Sequence, residues 1–158
     1  DLVRALDLVE GVVALDALAA AGQFAPEAIL DHVGGRPRPR GHRNLAPAVE
    51  AADPRAESPP ETRLRLVLVA HGVPRPELQF PVPGVPAPVG KIVQTSEVAV
   101  EYQGDRHRTD PERWRRDQER WALLAAAGWL VLPATWEDLY RRPAAFVARV
   151  RAALEARG

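Results

Sequence analysis

The chain predicts an α/β sandwich, a mixed sheet flanked by helices, preceded by a helical N-terminal extension. Three observations carry that prediction. Val98, Val100 and Tyr102 alternate with Ala99 and Glu101, which is the period of a half-buried strand. A long helical stretch opening at Pro111 separates that strand from the apolar run Trp129 to Pro133. Two strands joined through a helix favour a parallel pair with a right-handed crossover. Leu2, Leu6, Val9, Val13 and Leu18 keep near-helical spacing at the start of the chain.

Composition narrows the possibilities. The 158 residues suffice for one ordinary domain, or for a small one with an appendage. Hydrophobic residues make up 46%, enough for a real core. The 16 prolines and many alanines predict short helices and many loops. No apolar run reaches the length of a membrane span. The absence of cysteine excludes disulfides and thiolate zinc sites. A net charge of zero argues against a polyanion-coating protein while leaving room for a local basic face. Of the 21 basic residues only Lys91 is lysine. Arginine forks suit bidentate phosphate contacts, although GC-rich codon usage explains the arginine and the alanine together. No methionine occurs, even at position 1, so the chain is expected to be a fragment whose natural N-terminus, with any targeting signal, lies upstream.

The elements follow in order. Residues 1–55 form the helical extension. Its first helix stops at Gly22, a second opens at Pro26 and ends at Gly34-Gly35, and a third covers Asn44 to Ala52. Between the last two lies Arg36-Pro-Arg-Pro-Arg40-Gly, a stiff basic connector. Asp53-Pro54 marks the boundary to a second domain, residues 56–158. Ser58 and Glu61 have capping-box spacing ahead of a helix running from Pro59 to about His71 and stopped by Gly72. Strands are expected at Leu78 to Val82, Lys91 to Thr95, Glu97 to Tyr102 and Trp129 to Pro133. A long helix runs from Pro111 to Gly128, a short one from Thr135 to Tyr140, and a final amphipathic one from Pro143 to Ala156 with Phe146, Val147, Val150 and Leu154 inward.

Five separated motifs then share one order. They are Ser58-Pro-x-Glu61-x-Arg63-x-Arg65, Glu101-Tyr-Gln-Gly-Asp-Arg-His107, Arg116-Asp117-x-x-Arg120, Gly128-Trp129-x-Val131-Leu132 and Thr135-Trp136-Glu137-Asp138-Leu139. Together they resemble the very-short-patch-repair (Vsr) endonucleases and a related family of unknown function, of the PD-(D/E)xK restriction-endonuclease-like class. Val13-Ala-Leu-Asp-Ala-Leu18 resembles the extension of AbiEi-type antitoxins. The resemblance implies a restriction-endonuclease-like core in residues 56–158 and an AbiEi-like extension in residues 1–55. It implies a DNA endonuclease or nickase hydrolysing phosphodiesters with Mg²⁺, or alternatively a catalytically lapsed DNA-binding or antitoxin-like module. DNA, and a cognate toxin in the antitoxin case, are the implied partners, and the cytoplasm is the implied location.

Phosphodiester hydrolysis of this kind uses a metal to activate water, and hard cations take carboxylate oxygens. By resemblance Glu101-Tyr102-Gln103 holds the acid-x-Lys position, and alternation puts Glu101 and Gln103 on one face. Glu101 is the candidate metal ligand and catalytic acid, set against a solvent-facing strand acid. Gln103 replaces the lysine and is the candidate for positioning water or phosphate. His107 is the candidate general base, and Arg106 and Arg108 are candidate phosphate contacts. The family's other strand Asp is missing. Its position falls near Val93, and no acid occurs between Glu77 and Glu97. Glu61 is the candidate substitute ligand, set against a role as a capping acid, while Glu97 is expected in the turn before the third strand.

The remaining features have plain structural readings beside functional ones. Arg113, Arg115, Arg116 and Arg120 interleave with Glu112, Asp117 and Glu119 as in a solvated helix. Trp114 and Trp121, seven apart, are expected to pack into the core, and Trp136 to pack under the last helix rather than wedge into DNA. No P-loop, dinucleotide fingerprint or nucleophile elbow occurs.

Overall fold

The computed structural model describes residues 7–22, 25–34, 44–86, 89–93, 97–104 and 111–158, with backbone only at 32–34, 89–93, 111 and 113. The chain divides into two compact units, Asp1–Leu66 and Val67–Gly158. The sequence reading places its domain boundary earlier, between 55 and 56.

The first unit is helical. It holds α1 (Leu8–Ala20), α2 (Ala28–Gly34), α3 (Leu45–Ala51) and most of α4 (Pro59–Ala70). Asp7 caps α1 by accepting the Glu10 N–H at 2.9 Å. Val12 and Leu15 of α1 pack with Leu45, Ala48 and Val49 of α3, and Ile29 and Leu66 close the cluster. Asp16 sits inside this apolar surround, 1% exposed. Its carboxylate accepts from the Asp53 N–H, the Thr62 hydroxyl and the Arg65 guanidinium, each at 2.7 Å. Arg65, also buried, donates its other end to the Ala51 carbonyl. A buried charge needs such partners, because losing one strands the other in a medium that solvates it poorly. Arg63 makes a fork to Glu10 with contacts of 2.6 and 2.7 Å. Arg63 and Arg65 therefore tie the start of α4 to α1.

The second unit is the α/β part. Strands β1 (Glu77–Phe80), β2 (Val89–Val93), β3 (Val98–Tyr102) and β4 (Leu130–Ala134) lie side by side in that order. The first three form an antiparallel meander, and β3 pairs in parallel with β4, from Val98 opposite Leu130 to Tyr102 opposite Ala134. Helix α5 (Pro111–Ala126) links the parallel pair, and α6 (Trp136–Tyr140) and α7 (Pro143–Glu155) follow. This is the mixed sheet and the connection read from the sequence. Pro133, which has no N–H to donate, lies on the edge strand, where sheets tolerate it.

The stops work as expected. Gly72 and Gly128 have φ of +75° and +88°. After each, the next residue's N–H reaches back into the last turn, Val73 to the Leu68 carbonyl at 3.0 Å and Trp129 to the Leu124 carbonyl at 2.9 Å. This left-handed cap suits glycine because a Cβ would crowd the backbone. On α7, Phe146, Val147, Val150 and Ala153 are buried. Leu154 is only half-buried, the neighbouring alanine taking its place inside. Among the described residues no helix is long and apolar enough to cross a membrane.

Candidate functional site

β3 is buried from Val98 through Glu101. The strand was expected to show one face to water. Instead both faces are covered, because Ala99 packs against Leu124 of α5 and Val82. Glu101 lies on the same side as Ala99 and is 7% exposed, so it is not a solvent-facing strand acid.

Consecutive residues of α5 engage one oxygen of this buried carboxylate. The Arg120 guanidinium donates to Oε2 at 2.7 Å, and the Trp121 indole N–H donates to the same oxygen at 2.6 Å. Arg120 also lies 3.7 Å from Asp117 one turn earlier. Trp121 rests against the Val82, Ala99 and Leu124 cluster. Thus Arg120 serves less as part of a solvated charge ladder than as the counter-ion of a strand acid. The Glu101 Oε1 atom is buried and has no hydrogen-bond partner among the described residues.

The register locates the neighbour of Glu101 on β2. Ile92 lies opposite Ala99 and Val93 opposite Val98. Continuing that register puts Gly90 opposite Glu101, and directly opposed residues share a face. The position for a second carboxylate beside Glu101 is therefore Gly90. Val93, where the sequence reading placed it, lies opposite Val98 near the far end of β3. Glu97, in left-handed conformation with φ of +51°, occupies the turn just before β3, and its carboxylate is 3.6 Å from Arg157.

The other candidates are distributed as follows. Gln103 comes directly after β3, and its N–H donates to the Ala134 carbonyl at 2.7 Å, extending the parallel pairing. Glu61 belongs to the first unit and accepts the Glu57 N–H at 3.1 Å, a capping contact at the start of α4. His107, Arg106 and Arg108 lie outside the described residues, as does the Arg36 to Arg43 connector. Among the described residues, no three His, Cys, Asp or Glu side chains are gathered as a metal would require.

Mg²⁺ wants octahedral oxygen coordination, commonly one or two carboxylates with waters. Here the second unit offers Oε1 of Glu101, with the Arg120 guanidinium on the other oxygen of the same group. A dication about 5 Å from that guanidinium would be repelled by several kcal/mol, on the order expected at an effective dielectric of about 20. The described residues thus offer Mg²⁺ one carboxylate oxygen, with a guanidinium competing for the same group.

Two tryptophans depart from expectation. Trp114 is 54% exposed and Trp136 48% exposed, so neither is a core residue. Helix α5 is roughly 24 Å long at 1.5 Å per residue, and a five-residue strand only about 17 Å. With Trp121 level with Glu101, the turns carrying Trp114 overhang the sheet. Trp136 stacks on Tyr140 at 5.2 Å with a 30° tilt, and the Arg141 guanidinium lies 5.5 Å from its ring centre.

No family model matches the chain, and no solved structure matches it significantly. Two curated relatives, uncharacterized proteins of Mycobacterium tuberculosis from strains CDC 1551 and ATCC 25618, are each 33% identical over 117 residues. The match covers 70% of this chain and 43% of each relative, so the chain spans less than half the length of the curated relatives it matches.

Proposed function

We propose that the chain is a DNA-binding module on a Vsr-like, restriction-endonuclease-like core in which an arginine stands where a metal would be needed. The observation supporting this most is the Glu101 pair. Its carboxylate is engaged by Arg120 and Trp121, and the facing position on β2 is glycine. The acid that the sequence resemblance assigns to catalysis thus holds α5 to β3. DNA binding would rest on the arginines of α5, on Arg106 and Arg108, and on the exposed aromatics, since phosphate contacts supply most of the affinity of such modules. A cognate toxin is the partner that the AbiEi-like extension would add.

Metal-dependent endodeoxyribonuclease is the second reading, and the unsatisfied Oε1 of Glu101 favours it. It keeps Glu101, Gln103 and His107 as catalytic residues. One experiment separates the two. Supercoiled plasmid is incubated with the chain and with Glu101→Ala, with Mg²⁺ or Mn²⁺, and binding to a labelled duplex is measured in parallel. The proposal expects duplex binding without nicking in either metal. Metal-dependent nicking abolished by Glu101→Ala would replace it with the nuclease reading, and absence of both binding and nicking would end both.

A further inference from the structure

We draw no further inference here: the strongest candidate, the buried polar pair of the Gln79 side-chain amide on β1 and Glu101 Oε1 on β3, each without a hydrogen-bond partner among the described residues, has no contact joining its two halves, and nothing in the structure shows what lies between them.

Discussion

Glu101 shows how one residue can be visible in sequence and still be misread. Its position at the end of an alternating strand and its place in the Glu101-Tyr-Gln-Gly motif single it out. Burial then changes its chemistry, because a carboxylate removed from water must be paired. Glu101→Ala would leave the Arg120 guanidinium and the Trp121 N–H without their acceptor. It should lower unfolding free energy by about 2 kcal/mol in urea titration, below the ~3–5 kcal/mol of a fully buried pair because Arg120 is partly exposed. An unchanged midpoint would show that the pair does not hold the unit together. Asp53 makes a pH-dependent contribution. Burial pushes its carboxyl up, but the Arg55 side-chain and backbone hydrogen bonds, with the charges of Arg55 and Arg65, outweigh this and hold it below 3.8. A depressed folded-state pKa stabilises above the unfolded value and loses that contribution as pH falls through the folded one. Arg55→Met should therefore cost roughly 0.5 kcal/mol near neutral pH, the scale of a solvent-screened pair, and the cost should shrink as pH falls below the ordinary aspartate value of 3.8, seen as converging melting curves.

At the scale of elements, the turns were the most legible feature. Gly72, Gly128 and the Thr135 start of α6 were all read in place, because caps are local and use few residue types. Thr135 and Asp138 form a reciprocal capping box, the Thr135 N–H donating to Asp138 at 2.9 Å. Thr135→Ala should cost about 1 kcal/mol, lowering the melting temperature by a few degrees. Gly128→Ala should cost about 1–2 kcal/mol for the left-handed backbone, with its Cβ brought 3.4 Å from the Glu97 carboxylate. Equal stability of either variant in differential scanning calorimetry would count against these caps. Helix spacing was less informative. Seven residues separate Trp114 from Trp121, which puts them on one face, but only Trp121 lies over the strands. Periodicity gives a direction around a helix, whereas the overhang depends on how far the neighbouring strands extend.

For the whole molecule, zero net charge sets how the proposed DNA binding should respond to salt. A handful of arginines would neutralise few phosphates. The slope of log affinity against log salt should thus be shallow, about −3 if three phosphates of a duplex are engaged. A slope several times steeper, measured by anisotropy between low and physiological salt, would point to a larger basic surface than a handful of arginines provides. The helical unit has a separate determinant of stability in Asp16, 1% exposed with three donors on its carboxylate. Asp16→Ala should cost about 3–5 kcal/mol by stranding Arg65, seen as lost amide protection in α1 and α3. The resemblance of the Val13 to Leu18 block gives Asp16 no role of its own. An isolated acid in an apolar helix was the signal available, and its partners at Asp53, Thr62 and Arg65 are distant in sequence.

The sequence by itself determined the order of helices and strands, the parallel closure of β3 and β4, and the helix stops. These follow from local periodicity, from the φ values that glycine and proline allow, and from the short menu of strand connections. Only the tertiary structure decided that Glu101 is buried against Arg120 and Trp121, that Gly90 rather than Val93 faces it, and that Trp114 and Trp136 stand in solvent. Those outcomes depend on register, on the reach of α5 past the sheet and on charges brought together across the chain. No short-range pattern encodes them.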